Sequence, residues 1–396
     1  MEFREMSEQL TAFSALAASV SSIRQELDGI AKSAENSPWG LPGKFYVSPH
    51  FFDYERATLL RRGWHCIGRA DEIPNQGDYI TLQLLDEPLI VVRDKTNIKA
   101  LSNVCRHRGM PLATGNGNTK RFVCSYHAWM YGTDGGLVRA GRMKNAAFDP
   151  KTCKLGTFHC VEQFGFIYVS LDDNPADIDA ELTGLDELIG SYDPENFKVV
   201  HSATEIWNAN WKCLIENFME GYHLSVVHPQ TLHGYTPTGL CQKAASGNGF
   251  TSYFARYPNE IPPRGHGAMG LNEEARHRST LYSVFPCQVV SIAASLLVSL
   301  SIRPLSAGSI EVKWTMSAYG DDLDEETIKQ RIELWEEVNR EDREKLEAMQ
   351  QSLRSVHAVG GPLAEEDYEG TVHDFVLWLA RQNKLTQESG SNDELN

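Results

Sequence analysis

Two short runs, Cys105-Arg106-His107 and Cys124-Ser125-Tyr126-His127, constrain this chain more than any other feature. Each offers one thiolate and one imidazole, side chains with strong affinity for soft and borderline metals. Sixteen residues lie between the runs, so the segment that carries them must fold to bring two separate loops around one centre. Two kinds of centre satisfy this donor set. One is a structural zinc ion held by all four side chains. The other is a two-iron two-sulfur cluster, with the cysteines on one iron and the histidines on the other. One Cys and one His on each loop suits a centre whose two metals differ.

Around these loops the chain has several textures. Residues 1–44 read as an N-terminal helical segment. Leu16, Val20, Ile23, Leu27 and Ile30 take the spacing of a short coiled-coil seam, expected to dock on its own domain or on a sister subunit. The run Ser37 to Gly43, rich in proline and glycine, ends it. Residues 45–175 read as a small all-β domain, with strands at Tyr79–Leu84, Leu89–Val92 and Phe164–Val169, and an acidic linker begins near Leu171. Residues 176–385 mix helix and strand. A helix is expected over Asn210–Val227, two or three strands of an antiparallel sheet over 281–319, and a long charged amphipathic helix over 323–357. Residues 386–396 read as a polar, frayed tail.

At 396 residues, 41% hydrophobic, the chain is long enough for two or three domains. Its net charge of −16 argues against nucleic acid or an anionic membrane as the main partner. The longest apolar stretch, Val289–Ile302, is broken by four serines and is shorter than the roughly 20 residues a membrane span needs. No secretory leader pattern opens the chain. A cytoplasmic protein follows, with its eight cysteines reduced or metal-bound. Cys153, Cys160 and Cys213 have no partner pattern and are expected to be small core residues.

A second constellation stands at Asn210-Trp211-Lys212, Glu216-Asn217-Phe218-Met219-Glu220-Gly221-Tyr222-His223 and His228-Pro229. On a regular helix His223 and His228 would diverge by about 140°. They can share one ion only if the helix widens or ends between them. Mononuclear iron(II) oxygenases use two His and one carboxylate, and the long helix holds a candidate for the third ligand. Trp335, Val338, Leu346, Met349 and Leu353 define its apolar stripe, with Asp342 in the one gap. A buried carboxylate is costly without a metal or counter-charge. Asp342 is therefore either a ligand or a buried ion-pair partner, while Glu341 and Glu344 are expected to face solvent. Gly115-Asn116-Gly117 lacks a third glycine and reads as a surface turn. No dinucleotide fingerprint occurs.

The loops Cys105-Arg106-His107-Arg108-Gly109 and Cys124-Ser125-Tyr126-His127-Ala128-Trp129 resemble the cluster-binding loops of Rieske non-haem iron oxygenases, large (α) subunit, and the His223/His228 motif resembles that family's iron motif. The resemblance runs from about residue 45 to 380. It implies an α+β protein: an all-β Rieske domain followed by a helix-grip (START-like) catalytic domain, an antiparallel sheet around a long helix. It implies a 2Fe-2S cluster on Cys105, His107, Cys124 and His127, and mononuclear iron on His223, His228 and Asp342, the point where the family places its acid. Glu220 and Asn217 are the candidate catalytic residues beside the ligands. In the family an acid at Glu220 hydrogen-bonds a cluster histidine, by analogy His107 or His127, of the neighbouring chain; its alternative role is to orient His223. The resemblance further implies a homotrimer, electrons from NAD(P)H through a separate reductase or ferredoxin, and oxygen insertion into a small substrate. Glutamate at this position is similar to members acting on quaternary ammonium or N-methyl compounds. With the shorter chain, and with Tyr253, Phe254, Tyr282 and Phe285 as a candidate cation–π cage, it favours oxidative N-demethylation or C–N cleavage. Aromatic ring hydroxylation is the alternative, and a non-enzymatic zinc-stabilised binding protein a remote one.

Overall fold

The structure is a computed structural model that describes residues 19–33, 38–143, 145 and 147–393. Leu16 of the expected seam, residues 34–37 and residues 394–396 lie outside them. The chain divides into two compact units, Arg62–Pro175, and Met1–Arg61 with Ala176–Asn396. Among the described residues, no helix is long and apolar enough to cross a membrane.

The unit 62–175 is all-β apart from one short turn of 3-10 helix. Its strands are β1 (His65–Arg69), β2 (Asp78–Leu84), β3 (Glu87–Asp94), β4 (Asn97–Ser102), β5 (Asn116–Asn118), β6 (Arg121–Val123), β7 (Met130–Gly132), β8 (Leu137–Arg139), β9 (Thr157–Gln163) and β10 (Phe166–Ser170). Seven form an antiparallel sheet in the order β1-β10-β9-β4-β3-β2-β5, and β6-β7-β8 form a second sheet. The alternation along β3 divides the core. Leu89 and Val91 enter one apolar cluster with Ile67, Ile167 and Val169. Ile90 and Val92 enter another with Phe122, Trp129, Tyr131, Cys105 and Cys124. Successive strand residues face opposite sides, so one strand, buried at its four central residues, supports both the sheet and the cysteine loops.

The second unit holds the remaining strands: β11 (Phe197–Trp207), β12 (Cys241–Lys243), β13 (Phe250–Arg256), β14 (Arg278–Val284), β15 (Gln288–Ile292), β16 (Leu296–Ser306) and β17 (Ser309–Tyr319). They form one antiparallel sheet, ordered β11-β17-β16-β15-β14-β13-β12. The stretch 281–319 thus carries most of four strands, not two or three. The apolar run Val289–Ile302 is the β15–β16 hairpin, and its serines are tolerated because they find partners, as Ser299 does with Thr315 at 3.1 Å. The unit's helices include α1 (Val20–Ser33), α2 (Pro49–Ala57), α3 (Trp211–Phe218), α4 (Leu224–Val227), α5 (Glu325–Ser352) and α6 (Glu366–Asp393). Helix α6 packs over β12 and β13, and α5 over β11. The fold class is α+β, an all-β unit and an antiparallel sheet packed against long helices.

Several expectations change here. Helix α5 spans 325–352 rather than 323–357, and α6 runs to Asp393, past residue 386 where the polar tail was expected to begin. The helix expected over 210–227 is broken into α3 and α4. Helix α1 docks within its own unit, burying Ile23 and Leu27 and receiving Asn383 of α6, whose Oδ1 accepts from Arg24 Nε at 2.8 Å. Residues 45–61, expected to open the β domain, are largely helical and belong with the second unit. Their apolar face supplies Phe45, Phe51 and Phe52 to its core, and their polar groups are tied to α3. Lys212 Nζ donates to both oxygens of Glu55, at 2.7 and 2.9 Å, and the Tyr46 hydroxyl donates to Glu216 Oε1 at 2.8 Å.

The Glu55–Lys212 pair is fully buried. Removing one member of such a pair leaves an uncompensated charge, whereas removing both can be neutral. Lys212→Met is expected to lose about 3–5 kcal/mol of unfolding free energy in denaturant titration, and Glu55→Leu/Lys212→Met to recover most of it. Burial pushes the Glu216 carboxyl up from about 4.5 to about 7, against the opposing pull of the Tyr46 hydroxyl and Lys212. The folded state therefore holds this proton more tightly than the unfolded chain. The resulting stability is present below the unfolded value and lost as pH rises through about 7. Glu216→Gln keeps the acceptor for Tyr46 but cannot ionise. Thermal unfolding across about pH 5–8 should show the wild type losing up to about 3 kcal/mol relative to it.

Candidate metal centres

The first candidate centre is built from two loops with the same backbone pattern. In one, Cys105 N–H donates to Met110 O at 2.9 Å and Gly109 N–H to Cys105 O at 2.9 Å. In the other, Cys124 N–H donates to Trp129 O at 2.8 Å and Ala128 N–H to Cys124 O at 3.0 Å. The residue four after each cysteine has positive φ, +77° at Gly109 and +55° at Ala128. Glycine takes that conformation freely, and alanine pays roughly 1 kcal/mol for it. The Asn103 side chain clamps the first loop, its Oδ1 accepting from the N–H groups of Leu112 and Ala113. Tyr131 holds it from behind: its hydroxyl lies 3.4 Å from Cys105 Sγ and accepts from Arg106 N–H at 3.1 Å.

The four expected ligands come together with unlike ends. Cys105 and Cys124 are buried in the core. His107 is half-buried and His127 exposed, with their rings 4.6 Å apart and His107 stacked on Trp129. Among the described residues these four do not converge on one point as a tetrahedral zinc site must. A centre with two metals, thiolates inside and imidazoles outside, fits the arrangement.

The second candidate centre depends on how the chain breaks after α3. Met219 ends the helix, and the turn that follows is pinned by its neighbours. The Thr371 hydroxyl donates to Met219 O, and the Tyr253 hydroxyl to Phe218 O at 3.4 Å. Gly221 is required because a Cβ there would lie 2.4 Å from Cys241 Sγ. His223 then stands at the N-terminal end of α4 and His228 at its C-terminal end. The five-residue spacing is thus resolved by ending one helix and flanking a single turn of another. Glu220 lies in the turn and not on a helix face.

Ligand atoms of His223, His228 and Asp342 lie within 4.8 Å of one another, and among the described residues no other set of three such side chains gathers this way. Asp342 Oδ1 is 3.1 Å from His228 Nε2 and 3.6 Å from His223 Nε2. His228 Nε2 is buried without a well-aligned hydrogen bond, as expected of a lone pair turned to a metal. Each imidazole is held at its other nitrogen. Glu341 Oε2 lies 2.7 Å from His228 Nδ1 and accepts from the Thr231 hydroxyl at 2.7 Å. Glu220 Oε1 contacts His223 Nδ1, and Glu220 Oε2 accepts from His223 N–H at 3.0 Å. Asn217 Nδ2 donates to Asp342 Oδ1 at 3.2 Å. Burial lowers the proton affinity of His228, but the Asp342 and Glu341 carboxylates more than offset it, and its pKa stands above the ordinary histidine value. A metal must displace that proton, so loading weakens as pH falls.

Three expectations at this centre are corrected. Glu341 does not face solvent: it is the partner of His228, turned inward because α5 buries a broad face and not a narrow stripe. Met349 is 43% exposed, and the buried row is instead Trp335, Val338, Asn339, Asp342, Leu346 and Gln350. The four aromatics do not form one cage. Phe285 packs on Phe375 and Trp378 of α6, and Phe254 carries the Arg278 guanidinium at 3.5 Å. Tyr253 alone of the four lines the cavity beside α4.

Residues 194–384 match the family described as ring hydroxylating alpha subunit (catalytic domain), and residues 63–161 match the Rieske [2Fe-2S] domain. The chain belongs to the Rieske non-haem iron oxygenases, as an α subunit. It is 40% identical over 195 residues to the glycine betaine monooxygenase oxygenase subunit of Chromohalobacter salexigens, covering 49% of this chain and 44% of that one. It is 28% identical to the corresponding Pseudomonas aeruginosa subunit, covering 92% of this chain and 94% of that one. The chain thus spans less than half of the first relative and nearly all of the second. The quaternary ammonium Rieske monooxygenase CntA superposes with a TM-score of 0.80 at 22% identity, over 90% of this chain and 98% of that one. Naphthalene 1,2-dioxygenase from Rhodococcus sp. superposes with 0.79 at 20% identity, over 91% and 98%. The fold is shared equally by both, so it does not choose between methylated amines and aromatic rings. As a Rieske oxygenase α subunit the chain takes a 2Fe-2S cluster and mononuclear iron.

Asp342→Ala should release about one iron per chain, by metal analysis, while leaving the visible absorption of the cluster intact. Glu341→Gln should keep the metal but weaken its binding about 10–100-fold. Full iron retention in Asp342→Ala would place the carboxylate ligand elsewhere.

Proposed function

We propose that this chain is the oxygenase component of a multicomponent system that hydroxylates an N-methyl group of a quaternary ammonium compound. The mostly buried His223–His228–Asp342 trio carries the reaction type, and similarity to two glycine betaine monooxygenase subunits supports the substrate class. Cys105, His107, Cys124 and His127 would hold the 2Fe-2S cluster. His223 Nε2, His228 Nε2 and an Asp342 oxygen would hold iron, which when bound supplies dioxygen activation at open coordination positions. The chain's own groups prepare that site. Glu341 and Glu220 hold the Nδ1 side of each imidazole and so turn Nε2 inward. Asn217 fixes the Asp342 carboxylate. In balance, the N-methyl group, dioxygen, two electrons and two protons give an N-hydroxymethyl group and water. That group then leaves as formaldehyde, its hydroxyl proton released and the electron pair of the broken C–N bond remaining on nitrogen.

The electrons come from NAD(P)H through a separate reductase or ferredoxin. The same reading places the protein in the cytoplasm as a homotrimer, in which Glu220, 14% exposed at its side chain, also reaches His107 or His127 of a neighbouring copy. With a suitable reductase, oxygen uptake on a panel of methylated quaternary amines should be matched by formaldehyde release. Ring-hydroxylated products from aromatic substrates, with no formaldehyde from any amine, would favour the alternative reading. Sedimentation showing a fully active monomer would remove the trimer.

A further inference from the structure

Arg264 is 93% buried, at 7% exposure, yet its guanidinium has no anionic partner among the described residues. Its Nε and Nη2 are both buried without a hydrogen bond. These two groups form one edge of the guanidinium, the edge that grips a carboxylate through two parallel hydrogen bonds. The planar group is instead flanked by rings, with Cζ 4.9 Å from the centre of Tyr235 and 5.4 Å from that of Tyr257. Such contacts return less than the burial of an unpaired charge costs. The arrangement needs an anion that the chain itself does not supply.

The place for it is a cavity that Arg264 lines with Leu224, Leu232, Thr236, Tyr253 and Trp335. Trp335 Nε1 is a further buried N–H without a partner, so this wall is rich in donors. The cavity is about 30 Å³, room for roughly two waters, which suits an anionic head group and not a whole substrate. It shares its elements with the iron site. Leu224 follows His223 directly and opens the turn that ends at His228. Trp335 precedes Asp342 on α5 by seven residues, roughly 10 Å along the axis. Tyr253 reaches the turn that carries Glu220.

We infer that Arg264 is the substrate-carboxylate site, and that the substrate is a zwitterion with a quaternary ammonium group and a carboxylate on one short chain. This rests on the quaternary ammonium reading above and narrows it. A purely cationic compound such as choline meets an uncompensated like charge in this cavity, whereas a betaine neutralises it and satisfies the donors. A neutral aromatic ring leaves the guanidinium unpaired.

Equilibrium binding, measured by calorimetry on the full holoprotein without reductase, tests this independently of turnover. The probes are glycine betaine, choline and propionate, the last a carboxylate with no nitrogen. Wild type is expected to bind glycine betaine at least tenfold more tightly than choline. Arg264→Met, checked for cluster absorption, should bring that ratio close to one, and Arg264→Lys, which keeps a point charge, should give an intermediate ratio. A ratio unchanged in Arg264→Met, or a wild type that prefers choline, overturns the inference. If Arg264→Met does not fold, the wild-type ratio and Arg264→Lys decide. If neither quaternary compound binds, the substrate class has failed. In that case, propionate binding that is lost in the Arg264 variants still supports the anion site, and propionate binding indifferent to Arg264 refutes it.

Discussion

One row of helix α5 holds the iron site together. Asp342, Leu346 and Gln350 succeed one another at four-residue steps on its buried face. Gln350 anchors that row: its Oε1 accepts from Asn210 N–H at 2.9 Å and its Nε2 donates to Ala307 O at 3.2 Å. Asn210 caps α3 through Lys212 N–H and also donates to Tyr46 O and Ala307 O. Two buried amides therefore lock α5, the start of α3, the β16–β17 turn and the segment before α2 to one another. Because α5 is rigid from Gln350 to Asp342, and α3 from Asn210 to Asn217, the position of the carboxylate relative to the histidine turn is set about two turns of helix away from it.

The site gathers three carboxylates, Glu220, Glu341 and Asp342, within reach of two imidazoles. Such a concentration of negative charge in a mostly buried place is unfavourable unless cations or donors meet it. Backbone N–H groups, the Thr231 hydroxyl and the Asn217 amide meet part of it, and a divalent metal is the natural remainder. The same reasoning with the sign reversed applies at Arg264. In both places the chain alone leaves a charge incompletely answered, and the missing partner is what the protein binds.

Chain breaks, more than regular elements, make the site possible. An uninterrupted helix from Asn210 to Val227 would send His223 and His228 to different faces. Stopping α3 at Phe218 requires Gly221 against Cys241 and the capture of freed carbonyls by Tyr253 and Thr371. Those partners come from β13 and α6, remote in sequence, which is why the break could be required from the spacing of the histidines but not located.

Residue chemistry and spacing by themselves singled out the candidate ligands. Cys105, His107, Cys124 and His127 stand in two loops whose contacts are local, and Asp342 stands out because helical periodicity is a property of neighbours along the chain. The α+β architecture and the need to break the helix before His228 were legible for the same reason. Tertiary structure alone decided which acids serve the histidines. Glu341 follows the solvent-facing side of a simple stripe, and only the approach of His228 and Thr231 turns it inward. It also decided that residues 45–61 join the second unit, through the burial of Glu55 against Lys212, and that Tyr253, Phe254, Tyr282 and Phe285 part company. Arg264 carried no signal in its own neighbourhood, because an unpaired guanidinium is defined by what is absent around it. That absence exists only once strands, loop and helix, distant along the chain, have closed over the same cavity.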